Sequence, residues 1–237
     1  LEEAKKGLAK KRPAGMEWFP LDALPPLHWQ DTGEALDPAI PRWWVVQGVQ
    51  QKSAVPGPVL RRFLGMCKNH EAAALAKFVL STWITQDTRV LPAAEVAAKA
   101  KKEADKMWAQ YGQHQGWLNH YQNNKDNLFH QLLQNYSTEF LGSAIAQKGM
   151  LAVVAAAADG DCVKMCEQYI RKYFGNRLAQ CKALVEVLAW APHPLAIQVL
   201  LSLGGRFRTK AVRKAATEHV QALADRDPGP ELRAPVA

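Results

Sequence analysis

The sequence predicts an all-α fold of stacked antiparallel helices, either an α-solenoid or an irregular helical bundle. Three observations predict it. From about residue 37 onward, apolar residues recur at helical spacing. The segments that show this run to about 12–17 residues with joints of about two to five, the dimensions of stacked helical hairpins. The joints carry residues that end helices and turn chains: Asp159-Gly160, Gly175-Asn176, Pro192 and Gly204-Gly205. No strict identity repeat accompanies them, so the period rests on helix length and punctuation.

Residues 1–38 stand apart from this pattern. LEEAKKGLAKKR reads as a basic helical start without the apolar run of a secretory signal. The stretch to Pro38 is rich in proline and aromatics, with turn signals at Asp31-Thr32-Gly33. It is expected to lie extended over the helices, anchored by Trp18, Phe19 and Trp29.

The helical region is assigned to residues 39–226. A first helix starts near Pro41 and carries Trp43, Trp44, Val46 and Val49. Adjacent residues on a helix point about 100° apart, so Trp43 and Trp44 cannot share one neighbour, and one of them is expected to meet the proline-rich segment or a partner. PVLRRFLGMCK follows, and then a helix with the stripe Leu75, Phe78, Val79, Thr82, Trp83 and Asn69 as its cap. Residues 89–135 have few large apolar groups and read as a polar helical insertion broken at Asn123-Asn124.

The second half is more regular. SAIAQKGMLAVVAAAA reads as a helix ending at Asp159-Gly160, with Asp161 placed to cap its successor. That successor aligns Val163, Cys166, Ile170, Tyr173 and Phe174 and is expected to end through a left-handed turn at Gly175-Asn176. Leu178, Cys181, Leu184, Val185 and Leu188 mark the next helix, and Pro194 opens the one after it, which Gly204-Gly205 should stop. Thr209 is placed to cap the last helix, with Val212, Ala216, His219, Val220 and Leu223 as its buried stripe. Residues 227–237 read as a linker or tail. Because the chain also begins with Leu, it is expected to be a section of a longer polypeptide.

Composition narrows the class. Hydrophobic residues are 48% and charged residues 22%, ordinary globular usage, which argues against wholesale disorder. No apolar run approaches the ~20 residues of a membrane span, so no membrane partner is expected. The four cysteines, Cys67, Cys162, Cys166 and Cys181, fall mainly among helical apolar positions. They are expected to be reduced and buried, in a cytoplasmic protein. Cys162, Cys166 and Cys181 could converge, but they lack the knuckle spacing and fourth ligand of a zinc site. Neither a metal nor any other cofactor is expected.

The net charge is +8, and its placement matters more than its size. Residues 1–12 hold a surplus of three cations and residues 205–214 a surplus of five; the rest of the chain balances at twenty and twenty. A charge-seeking partner would therefore meet local patches.

Four stretches, AKFVLSTWITQDT, SAIAQKGMLAVVAAA, YIRKYFGNRLAQCKALVEVLA and RFRTKAVRKAATEHVQALADR, resemble in that order a family of large bacterial proteins. These are the WGR-associated proteins related to the molybdate-metabolism regulator. The resemblance covers about half of the chain. It implies a HEAT-like helical region inside a multidomain protein, and it implies no chemistry, since that family has no agreed activity. No Trp-Gly-Arg tripeptide occurs here.

The candidate site is the run GGRFRTKAVRKAA, with Arg206, Arg208, Lys210, Arg213 and Lys214 and no acid. At 100° per residue Lys210, Arg213 and Lys214 share one side of the last helix. Cations at a helix N-terminus oppose the macrodipole, a cost of about 0.3–1 kcal/mol that hints at an anionic partner. Arg171, Lys172, Arg177 and Lys182 on the two preceding helices could extend the patch. The competing reading is a solvated basic face. A nucleic acid would be held by its phosphates, about four or five of them, without sequence readout. The favoured function is a non-enzymatic scaffold that binds protein or flanking domains, with nucleic-acid binding as the alternative and an unrecognised enzyme as the third reading. G-x-S-x-G, Walker, G-x-G-x-x-G and H-E-x-x-H motifs are absent from the sequence.

Overall fold

The computed structural model describes residues 1–9 and 13–224. Lys10, Lys11 and Arg12 of the basic start, and the tail at 227–237, lie outside the described residues. Twelve α-helices and no strands are present among the described residues, so the fold is all-α. The chain forms two compact units: Leu1–Ile84 together with the residues from Ala144 on, and Thr85–Ser143 between them in sequence.

The first unit opens with α1 (Glu2–Leu8). The proline-rich segment follows, running over the core with one 3₁₀ turn at Leu21–Ala23. Met16, Phe19, Leu21, Leu27 and Leu36 are buried, and Trp18 and Trp29 pack against the core half-buried. Gly33 takes the left-handed φ of +70° that the Asp31-Thr32-Gly33 turn requires. The fold then continues with α2 (Ala39–Gln51), α3 (Pro58–Gly65) and α4 (Asn69–Asp87), so Asn69 lies inside α4 rather than capping it. The two tryptophans of α2 diverge as expected, and Trp43 packs beside Gly7 of α1. Trp44 is buried beside Phe63.

Within Thr85–Ser143, α5 (Ala93–Tyr111) and α7 (Lys125–Ser137) pack together, with short α6 (Gln115–His120) between them. Gln122 and Asn123 adopt positive φ, and the Asn124 side chain caps α7 by accepting from the Asp126 amide. The polar stretch 89–135 lies inside this unit.

After Ala144 the chain begins with a 3₁₀ segment, Ile145–Met150, and only then α8 (Leu151–Ala157), where one continuous helix was expected. Within this segment Gly149 lies with its backbone against that of Gly48 on α2, and a Cβ at either position would strike the other's carbonyl oxygen. The chain continues through α9 (Gly160–Tyr173), α10 (Leu178–Leu188), α11 (Pro194–Arg206) and α12 (Lys210–Ala224).

Three local expectations are corrected. Asp159, not Asp161, caps α9, accepting from the Cys162 amide at 2.8 Å, while Asp161 pairs with Lys77. The turn after α9 uses no left-handed residue, because the Asn176 and Arg177 amides both bond back to the Tyr173 carbonyl. Gly204-Gly205 does not stop α11, which runs on to Arg206. Gly204 instead lets Thr217 of α12 approach closely.

Hairpins stack in two rows. α9 packs on α10 and α11 packs on α12, while α9 also meets α11 and α10 meets α12. α4 extends the first row beside α9, through Trp83 against Tyr169 at 5.9 Å and Lys77 to Asp161 at 2.9 Å. α8 and the Ile145–Met150 segment extend the second row against α10. The core between the rows is built from Leu75, Trp83, Leu151, Ile170, Leu184, Leu200 and their neighbours.

Candidate anion-binding groove

The stacked row of α10 and α12 determines which charges meet. α10 buries Cys181, Leu184, Val185 and Leu188, so its opposite side presents Ala179, Lys182, Ala183 and Glu186. α12 buries Val212 and Ala216 and presents Ala211, Lys214, Ala215 and Glu218. A groove of about 540 Å³ runs between these faces, and Lys148 of the 3₁₀ segment and His219 also line it. Alanines keep it open, since larger side chains at those positions would fill it.

The nine candidate cations fall into three groups. Lys182 and Lys214 meet in the groove. Arg206, Arg208, Lys210 and Arg213 are exposed around the α11–α12 turn and, among the described residues, lie within ion-pair distance of no carboxylate. Phe207 anchors that turn, edge-on to Phe174 at 5.4 Å. Arg206 sits in the last turn of α11, where the helix dipole favours a cation. The electrostatic disfavour argued from sequence therefore applies to Lys210 and Arg213 in the first turn of α12, which holds no acid.

Arg171 and Lys172 belong elsewhere. Arg171 holds Glu167 through Nε at 2.8 Å and Nη2 at 2.7 Å, and Nη2 also reaches Ser202 Oγ at 3.4 Å. Lys172 lies 5.1 Å from the ring of Tyr173. Arg177 is half-buried at the start of α10. Of the residues that could extend the patch, Arg171 and Lys172 thus lie apart from Lys182, because α9 is in the other row. Lys214 has one acidic neighbour, Glu218 Oε1 at 3.7 Å, with both side chains well exposed. Such a pair contributes about 0–1 kcal/mol and leaves Lys214 available.

Sequence reasoning missed Lys148, Glu186, Glu218 and the place of His219, which lines the groove half-buried rather than sitting in the core. A signal for them was present. Ala179-x-x-Lys182-Ala183-x-x-Glu186 recurs 32 residues later as Ala211-x-x-Lys214-Ala215-x-x-Glu218. In the same register, 34 residues before Lys182, stands Ile145-x-x-Lys148-Gly149-x-x-Ala152. The match between the first two is confined to the face that lines the groove, and the third shares only its lysine.

A second missed feature is a clamp 43 residues apart in sequence. Glu71 on α4 accepts from the His28 amide at 2.7 Å and lies 2.9 Å from His28 Nδ1. Partial burial opposes ionisation of this carboxyl, but the two His28 hydrogen bonds outweigh it and hold the group below its ordinary value. With Lys68 N–H donating to the His28 carbonyl at 3.0 Å, it fastens the proline-rich segment to α4. The four cysteines are buried, and burial pushes the thiols of Cys67 and Cys162 up to about 11 and about 12. No group of three or more His, Cys, Asp or Glu side chains converges as a metal site among the described residues.

No helix among the described residues is long and apolar enough to cross a membrane. Comparison with family models, with curated proteins and with solved structures finds no match to this chain.

Proposed function

We propose that the chain is a non-enzymatic helical-repeat scaffold that holds an acidic protein segment on the side formed by α10, α12 and the Ile145–Met150 segment. In this reading it is a HEAT-like section of a larger cytoplasmic bacterial protein, as the resemblance to the WGR-associated proteins implies. The observation that carries it is the groove itself: three lysines from three successive layers line one alanine-floored channel. Stacked repeats make such extended surfaces because each layer contributes one helix to the same side. A direct test is hydrogen exchange with and without a peptide of four glutamates. Protection over 179–186 and 211–218 that fades with added salt is expected; unchanged exchange across both helices would remove the reading.

A second reading, phosphate-backbone binding, is favoured by the exposed set Arg206, Arg208, Lys210 and Arg213. It predicts a log–log salt slope of about −4 with DNA, reduced by about one for each of these cations changed to glutamine. Equal affinity of wild-type and variant protein at every salt concentration would exclude it.

A further inference from the structure

The three lysines form a ladder at fixed rungs, and the ladder has a parallel acidic rail. Lys148 of the 3₁₀ segment, Lys182 of α10 and Lys214 of α12 all line the groove and stand 34 and 32 residues apart in sequence. Packed helix axes stand about 8–10 Å apart, so lysines on adjacent elements are expected at about that spacing. Glu186 and Glu218 follow Lys182 and Lys214 by four residues on their own helices, so a second row runs about one turn, ~5–6 Å, beside the first. In the third layer the corresponding sequence position is Ala152, which is buried and carries no acid.

This pattern discriminates between polyanions. Duplex DNA carries one charge per about 1.7 Å, far denser than the rungs, and its charges would face the glutamates as well as the lysines. A polyproline II segment has three residues per turn and rises about 3.1 Å per residue, so every third side chain points the same way about 9 Å apart. That repeat matches the rung spacing. Its other two faces would turn uncharged groups toward the glutamate rail and toward solvent.

We infer that the groove is a docking site for an extended, polyproline II-like peptide with a carboxylate at every third residue, laid across α10 and α12 with one acid on each of Lys148, Lys182 and Lys214. The inference rests on the scaffold reading and specifies its ligand. The charge row supplies the complementarity, and the alanines leave a shallow floor on which proline rings can lie.

Two peptide isomers test it. (Glu-Pro-Pro)₄ places its four glutamates in register, and Pro₄-Glu₄-Pro₄ clusters the same four. By fluorescence anisotropy at low salt, the in-register peptide is expected to bind about tenfold tighter, the combined effect of three exposed charge pairs. The Lys148→Gln/Lys182→Gln/Lys214→Gln variant should lose that advantage. Arg206→Gln/Arg208→Gln/Arg213→Gln should keep it within about twofold. Five of the six residues are exposed and Lys148 is half-buried, and helix content by circular dichroism should match wild type in both variants. Equal affinity for the two isomers overturns the spacing argument while leaving the scaffold standing, and binding of neither peptide removes both. A DNA oligonucleotide that displaces (Glu-Pro-Pro)₄ from wild type but not from the triple lysine variant would show that phosphates occupy the ladder and would overturn the peptide assignment.

Discussion

In the helical array, Trp83, Leu75, Leu80, Leu151, Ile170, Leu184 and Leu200 are all at 0% exposure and belong to one apolar core. Between Thr85 and Ser143 the buried apolar residues among those described are Val96, Ala100, Ala104 and Leu128, three of them small. That unit relies more on its surface. Lys99 pairs with Glu139 at 2.7 Å and lies 4.0 Å from the Tyr136 ring, and Lys125 pairs with Asp105. Trp108, Tyr111, Trp117 and Tyr121 pack among themselves near its tip, with the Trp117–Tyr121 ring centroids 4.9 Å apart. Exposed ion pairs contribute about 0–1 kcal/mol each, whereas burying one large side chain contributes about 1.5–3 kcal/mol. The inserted unit should therefore open locally well before the array unfolds.

The largest effect should come from breaking the array at its centre. Trp83 is fully buried, touches Tyr169, and donates its indole N–H to the Ala144 carbonyl at 2.9 Å. Trp83→Ala removes that donor and leaves a large cavity, and it is expected to cost about 3–5 kcal/mol by urea denaturation. A loss below about 1 kcal/mol would show that the array does not depend on this packing. Trp83→Phe should recover part of the loss by restoring ring volume without the hydrogen bond.

The contrast between the units also explains what was readable from sequence. The array's helices were legible because one side of each is buried, and burial writes apolar spacing into the chain, as at Val163, Cys166 and Ile170. Ends were less legible. Gly204-Gly205 looks like a stop, yet α11 passes through it because Thr217 needs the room at Gly204. Gly149 in the 3₁₀ segment before α8 packs against a glycine of a different helix, Gly48, a contact with no local signature. For the site, the cations were visible and their grouping was not, since Lys182 joins Lys214 while Arg171 turns to Glu167 and Ser202. The alanine-lysine-alanine-glutamate register was the available clue, at positions where neither core packing nor helix ends draw the eye.

A smaller effect, and one that should stay within its own unit, is expected from Leu128→Ala. Leu128 is 1% exposed on α7, facing the α5 side that carries Val96, Ala100 and Ala104. The substitution should cost about 2–3 kcal/mol, the low end for a leucine truncated in a core, because the thin hairpin can partly collapse around the gap. Hydrogen exchange is the measurement. Amides of 93–111 and 125–137 should exchange faster, while those of α9 to α12 keep their wild-type protection. Acceleration throughout the chain would mean that the two units unfold together.

The smallest effect concerns the His28–Glu71 clamp and depends on pH. Because the folded-state pKa of Glu71 is lowered, its ionised form stabilises the fold at pH values above the ordinary carboxyl value of 4.5. That contribution is lost as pH falls through the lower folded value. Protonation removes the charge that the His28 hydrogen bonds favour, so the proline-rich segment should loosen from α4 while the array persists. The His28 amide, which donates to Glu71, is the reporter: its protection should fall on acidification from pH 6 to about pH 3 in wild type. Glu71→Gln keeps an acceptor oxygen without the charge, so its His28 protection should be lower at pH 6 and nearly flat with pH. A Glu71→Gln protein that retains the wild-type pH profile would assign the loosening to another carboxylate, and Asp161, whose pKa its Lys77 partner lowers by hydrogen bonding and charge, is the next to change. The two are separable because Asp161→Asn acts on the α4–α9 contact and leaves the His28 amide with its acceptor.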